Sequence, residues 1–318
     1  MKYIAMLLAF LVANSLASAQ SWESGLPTTL DSLAEKAWQP SLLTALGNFT
    51  FAYSELASPF SRFLEESLAS AITRSTHLQL FNREAAAAMD PAFRQIYGEY
   101  FKNNKVDAFL SGRFFDEGQT VRAHLELTNM TNGILVGTAD LQVPKVAIPN
   151  DVPIEPTAAA TAASTELGNL ISNKEAGGLS VSVSTERGPG AVYREGEDMV
   201  VLVAVSKEAW VKVYHVDVNG KVQLIWPNRF GGGGTIKPGQ AVRIPAEGDP
   251  FAFKMTPPFG TEFIKVVAST QPFATNEADF SELGGDARGI IARGLSVEGL
   301  GKAEQAEAMA SYVIMQAK

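Results

Sequence analysis

The chain has no cysteine in its 318 residues. That excludes disulfides, thiolate metal ligands, cysteine nucleophiles and the lipid-attachment cysteine that tethers exported bacterial lipoproteins. Histidine is nearly as scarce. His77, His124 and His215 each stand alone in their segments, and no His-x-x-x-His pair or Gly-x-Ser-x-Gly elbow occurs, so the local patterns of zinc sites and acyl-transfer sites are missing. Runs of Lys and Arg are absent too: 26 basic residues against 34 acidic ones give a formal charge of -8. A nucleic-acid partner needs clustered cations to meet its phosphates, and this composition excludes it. After the first twenty residues no apolar run approaches the roughly 20 residues that span a bilayer.

What the sequence does have begins with an export signal. Lys2 supplies a positive start, Ile4 to Ala13 is apolar, and Ala17-Ser18-Ala19 has the small-x-small pattern of a cleavage site, so residues 1–19 read as a removable signal peptide. Removing Lys2 leaves 25 basic against 34 acidic residues, a charge of -9. Export without cysteine points to a bacterial periplasm or cell surface, with no transmembrane segment in the mature protein.

The fold class read from the pattern is α+β, in two domains. The first, 42–143, mixes helical and strand periods. Ala45 to Ala52 suits a strand. Ser58-Pro59 is an N-cap followed by proline at the first helical position, and Phe60, Phe63, Leu64, Leu68, Ala71 and Ile72 make one apolar stripe behind it. Leu78 to Phe81 is a second strand, and Asp90-Pro91 opens a second helix with Phe93, Ile96, Tyr97, Tyr100 and Phe101 on one face. Val106 to Phe115 and the alternating Thr120 to Thr128 are strands, and Asn132-Gly133 is a hairpin signal before another. The order is strand, helix, strand, helix, strand, strand, strand, an α/β layer.

Pro144, Pro149, Pro153 and Pro156 break the chain, and residues 144–178 read as a linker. Within it Thr157 to Ile171 is an alanine-rich helix expected to dock on the first domain. From Leu179 to the end the helical period fades. Eight short strand-like segments, separated by Gly, Pro, Asn and Asp, predict a β-sandwich over 179–318, and Asn219-Gly220 marks a hairpin. The stretch Asn276 to Ala308 reads as a long connection with one helix, ahead of a last strand at Tyr312 to Met315.

Two resemblances follow. Ala45-Leu46-Gly47-Asn48-Phe49, the helix from Ser58, Leu80-Phe81-Asn82-Arg83, Val106 to Phe114 and the Asn132-Gly133 turn together resemble the TolB-N/CsgG/FlgO-like envelope superfamily. That resemblance implies an outer-membrane or periplasmic setting in flagellar, secretion or cell-wall machinery. Its members are typically lipoproteins, whereas this chain lacks the anchoring cysteine. Tyr193 to Glu197, Trp210 to Asp217, Leu224 to Asn228, Pro258 to Glu262 and Val266 to Ser269 resemble the domain of unknown function 4384 family. This second resemblance implies an immunoglobulin-like sandwich and no established chemistry.

No catalytic residue, cofactor or metal ligand is expected, and the chain is read as a non-enzyme. Gly231 to Gly234 lacks the Lys-Ser/Thr and the helix that follow a P-loop. Asp279, Glu282 and Asp286 lack the ligand order of a calcium loop, and the Glu65-Glu66 and Glu195–Asp198 carboxylates read as wet-face residues. The candidate interaction patch is Trp226, Arg229 and Phe230 around the glycine loop, because aromatic and arginine side chains dominate binding hot spots. Partners are then other envelope proteins and further copies of the chain, met at exposed strand edges. The alternative is a small-ligand or peptidoglycan-binding module lined by Tyr193, Trp210 and Trp226. On either reading, activity resides on outward surfaces rather than in a reactive pocket.

Overall fold

The computed structural model describes residues 22–54, 56–81, 106–168, 170, 178–188, 190–231, 233–297 and 303–317. The chain is α+β and divides into two compact units, of which the described parts are 22–155 and 156–317. The signal peptide and the helix expected from Asp90 lie outside the described residues.

In the first unit, helix α1 (22–33) precedes strand β1 (Leu42–Phe51), helix α2 (Pro59–Ile72) and strand β2 (Leu78–Leu80). Strands β3 (Ala108–Asp116), β4 (Thr120–Asn129) and β5 (Leu135–Pro144) follow. The sheet order is β2-β1-β3-β4-β5. Both neighbours of β1 run parallel to it, and β3-β4-β5 is an antiparallel meander. Gly47 and Asn48 fall where the β1–β3 register shifts between Leu46 and Phe49. The Ser58-Pro59 start is in place: Ser61 Oγ accepts the Ser58 backbone N–H at 3.0 Å. The stripe behind it buries Phe60, Leu64, Leu68, Ala71 and Ile72. On β4 the alternation buries Val121, Ala123, Leu125 and Leu127 and leaves Arg122, His124 and Glu126 on the wetter face, as the period of a half-covered strand requires.

This core reaches beyond 42–143. Leu26, Leu30 and Leu33 of α1 join it, and Gly137 of β5 lets the Leu33 carbonyl approach where a Cβ would collide. Downstream, the proline-bearing segment packs on the first unit instead of linking. Ile148 and Val152 are buried there, Lys145 pairs with Asp116 at 2.6 Å, and the Phe60 N–H donates to the Pro153 carbonyl. Proline fixes an extended path without preventing burial of the apolar residues between.

The second unit begins with helix α3 (Ala158–Gly168). It packs within this unit, correcting the expectation that it docks on the first. The reason is polar: the Leu167 carbonyl accepts Lys265 Nζ at 2.6 Å, and the Glu166 carbonyl accepts Arg288. Short strands β6 (Val181–Thr185), β7 (Ala191–Arg194), β8 (Asp198–Met199) and β9 (Val201–Val205) lead to β10 (Ala209–Val216) and β11 (Val222–Trp226). Then come β12 (Thr235–Ile236), β13 (Ala241–Ile244), β14 (Phe253–Lys254), β15 (Gly260–Ser269) and β16 (Glu282–Leu283). Helix α4 (Ala287–Gly294) and the long strand β17 (Gln305–Met315) close the unit. β17 starts seven residues ahead of the Tyr312 start read from the sequence.

A seven-stranded sheet runs β16-β11-β10-β15-β17-β7 with β12 on β10; a three-stranded sheet runs β13-β9-β6, and β14 pairs β8. Val211 and Val213, Ile264, Val266 and Ala268, and Tyr312 and Ile314 share one core with Val201, Val203, Val205 and Ile244 of the smaller sheet. The other face of the large sheet carries buried charges. Lys265 and Glu307, each 1% exposed at the side chain, pair at 2.8 Å, and Lys212 pairs with Glu277 at 2.6 Å. Buried ions are tolerated when paired and hydrogen-bonded; these two pairs secure α3 and the 273–294 segment over the sheet.

Candidate functional site

The strand period decides which side chains can meet. His215 lies two residues beyond Val213 and Glu262 two before Ile264, so both face the shared core, as does Tyr312. The register then brings them together: Glu262 stands directly opposite Tyr312, while His215 opposes Ile264 and is diagonal to Glu262. His215 Nε2 lies 2.7 Å from Glu262 Oε2, and the Tyr312 hydroxyl donates to the same oxygen at 2.5 Å. His215 and Tyr312 stack with ring centroids 6.4 Å apart. A second carboxylate network adjoins them. Tyr193 meets the Tyr312 ring edge-on at 5.9 Å and donates to Glu186 Oε2 at 3.0 Å.

These three residues line a cavity of about 320 Å³, with Asp217 and Gln223 on its polar side and Met199, Ile225, Phe253, Met255, Ile264 and Ile314 among its apolar walls. Glu262 is 7% exposed at its side chain. Both of its partners sit on Oε2, and Oε1 accepts no hydrogen bond from the described residues. A carboxylate only accepts, so His215 Nε2 carries the proton it shares. Nδ1 has no partner among the described residues and, in the neutral ring, is an acceptor.

Burial, and then the neighbouring Glu262 charge, pushes the Tyr312 hydroxyl well above the ordinary tyrosine value. It is therefore a donor and not a phenolate nucleophile. Burial likewise raises Glu186, against hydrogen bonds from the Val200 N–H and Tyr193. Among the described residues no cluster of three or more His, Asp or Glu side chains is arranged to hold a metal ion.

The expected patch comes apart. Trp226 is 5% exposed and belongs to the core, which removes it from any contact surface. The five-residue apolar strand that ends in it accounts for this: its register with Val213 turns the indole inward. Arg229 forks onto Asp279, with Nη2 to Oδ1 at 2.9 Å and Nε to Oδ2 at 3.0 Å. Phe230 is exposed and leads an aromatic cluster, 5.2 Å from Phe251, which packs on Phe253 of the cavity wall. Of the aromatic residues considered for a pocket, Tyr193 is fully buried, Trp226 is core and Trp210 is 37% exposed; none of them lines the cavity. His124 sits on the wet face of β4 with Asp140 at 2.9 Å, and His77 Nδ1 lies 3.0 Å from the Pro40 carbonyl.

The structure brings His215, Glu262 and Tyr312 together at a polar pocket that the sequence reading did not place. They are 47 and 50 residues apart in pairs, so no local motif announces them. The one available signal was the alternation of His215 with Val211 and Val213.

Residues 192–272 match the family described as Domain of unknown function (DUF4384). That match holds His215 and Glu262 and stops short of Tyr312, and it bears out the resemblance read in the second domain. No curated protein matches the chain. Among solved structures, the chain is similar to the LpoB C-terminal domain from Salmonella enterica, at 10% identity and a TM-score of 0.30, over 39% of this chain and 98% of that one. The LpoB C-terminal domain from Escherichia coli gives 10% and 0.31 over the same shares. TolB from Acinetobacter baumannii gives 11% and 0.23 over 73% of this chain and 59% of that one. Likenesses at these scores carry no functional argument. Among the described residues no helix is long and apolar enough to cross a membrane.

Proposed function

We propose that this chain is an exported, non-enzymatic envelope protein that works by binding, and that the cavity of its second unit holds a small ligand. The observation carrying the ligand reading is Glu262, a carboxylate on a core-facing position with one oxygen occupied by two donors and the other open. A concave site that mixes apolar side chains with convergent polar groups suits ligand capture, and about 320 Å³ is at the small end of such sites. Binding is favoured over catalysis because the second group in contact with Glu262 is a tyrosine held protonated, and among the described residues neither His215 nor Glu262 orients a nucleophile.

The envelope setting is supported by the export signal, the lack of cysteine and the TolB-N/CsgG/FlgO-like pattern of the first domain. A role as an accessory or scaffold component of an outer-membrane or periplasmic assembly rests on that superfamily pattern. The immunoglobulin-like form of the second domain is likewise our reading, supported by two sheets closing on one core.

The test is thermal melting of the mature chain with small cationic, neutral and anionic compounds. A ligand at a hundred times its Kd adds about 2.7 kcal/mol of stability. Thr256→Trp, at an exposed position on the cavity lining, should abolish any such gain; a panel with no shift removes the ligand reading.

A second reading, docking by strand addition, is favoured by β5. It is an edge strand, and Ile134 and Leu135 at its start are 62% and 51% exposed. Edges of this kind template pairing with another chain. Light scattering of the mature chain at high concentration checks it, and a strict monomer counts against self-association.

A further inference from the structure

We infer that the cavity selects a small organic cation, a primary ammonium group carried on an apolar stem. The inference rests on the ligand reading above and adds the charge and shape of the ligand.

The polar lining presents acceptors. Glu262 Oε1 is open, as described. Asp217 is a second carboxylate on the lining; its Oδ1 accepts the backbone N–H groups of Asn219 and Lys221, both at 2.8 Å, and its Oδ2 has no partner among the described residues. Two carboxylates on one lining favour a cation over an anion.

Among the described residues no lysine or arginine on the lining is bonded to Glu262 or Asp217. Lys254 is the one lysine on the lining, and no arginine lines it. Its ammonium is held by Asp198 Oδ1 at 3.1 Å and the Gly196 carbonyl at 3.2 Å. The Tyr312 hydroxyl is already committed as a donor to Glu262 Oε2. The complementary group has several donors, a positive charge and no acceptor, which describes –NH3⁺.

The remaining wall sets the stem. Met199, Phe253, Met255, Ile264 and Ile314 offer thioether, aromatic and aliphatic surface for such a stem, beside Gln223, Lys254 and Thr256 on the same lining. An alkyl chain of a few carbons buries apolar area there, whereas a bare metal ion would leave that surface unused.

Isothermal titration of the mature chain with hexylamine, hexan-1-ol and hexanoate separates the alternatives. Hexylamine should bind and raise the melting temperature, at least tenfold more tightly than hexan-1-ol, with hexanoate not binding. Glu262→Gln and Asp217→Asn should each weaken hexylamine at least tenfold; Asp217, half-buried where β10 turns towards β11, keeps the test open if Glu262→Gln fails to fold. Equal affinity for amine and alcohol, or unchanged hexylamine affinity in folded variants, overturns the charge inference and leaves the ligand reading standing. Hexylamine binding that survives Thr256→Trp places it elsewhere and also overturns the inference. No binding by any of the three removes both.

Discussion

Glu262 and Tyr312 stand opposite each other on adjacent antiparallel strands, and the tyrosine hydroxyl donates to Glu262 Oε2 at 2.5 Å. Tyr312 is 1% exposed, and its hydroxyl is a fixed donor to the Glu262 acceptor. Tyr312→Phe keeps the ring against Tyr193 and deletes the donor alone. Leaving a buried acceptor short of a partner costs about 1–3 kcal/mol, and urea unfolding of the variant should show a loss in that range. A change under about 0.5 kcal/mol, the ordinary scatter of surface substitutions, would mean that Glu262 is satisfied without Tyr312.

Lys265 supports a different part of the fold. It joins Glu307 on β17 to the Leu167 carbonyl at the end of α3, while both Glu307 oxygens lie within 3.1 Å of the Leu170 N–H. Lys265→Met strands the Glu307 charge in the interior, a change that costs roughly 3–5 kcal/mol. Glu307→Gln should cost less, since it retains an acceptor for Leu170. Denaturant unfolding gives the two losses, and amide exchange should show α3 opening first in Lys265→Met. Equal stability of Lys265→Met and the parent chain would show that the pair does not hold α3.

Much of this architecture was legible because local rules sufficed. Asn132-Gly133 forms its turn with Gly133 at φ +72, a conformation that glycine adopts without cost, and the α2 stripe follows the helical period. Helix α1 carries Leu26, Leu30 and Leu33 at helical spacing, but lies in a polar stretch just after the signal-like run, where its faces are easily overlooked. β17 was cut short because Glu307 reads as a loop residue; its burial depends on Lys265, 42 positions earlier. The cavity failed to appear for a related reason. Period alone puts His215 on the inner face, yet meeting Glu262 depends on the β10–β15 register, which no local pattern encodes.

Trp226 and Phe230 are four residues apart and should respond in opposite ways. Trp226→Ala empties a site in the core of the second unit, and truncations of this kind cost about 3–5 kcal/mol. Phe230, 45% exposed at the head of the Phe251 and Phe280 cluster, should lose less than about 1.5 kcal/mol on truncation, the range of an aromatic pair. If the outward cluster contacts a partner, Phe230→Ala should weaken capture of that partner from the native envelope without changing the melting temperature much. Equal destabilisation by the two variants would contradict the division between core and surface.

The first unit should carry an acid-sensitive component at Asp116. The hydrogen bond from Lys145, 2.6 Å away, and a further one from the Gly118 N–H hold its carboxyl below the ordinary value of 3.8. A depressed folded value means that the unfolded chain binds the proton first as pH falls, so the stabilisation is present above about pH 4 and is lost as pH drops through the folded value. The pair is partly exposed, 33% and 20% at the two side chains, and its contribution is held to about 1 kcal/mol or less by solvent screening. Asp116→Asn should therefore be less stable than the parent at pH 7, with the gap narrowing towards pH 3. Denaturant unfolding of the first unit at both pH values measures that gap, and a gap that stays constant would show that the Asp116–Lys145 bond does not favour the ionised carboxylate.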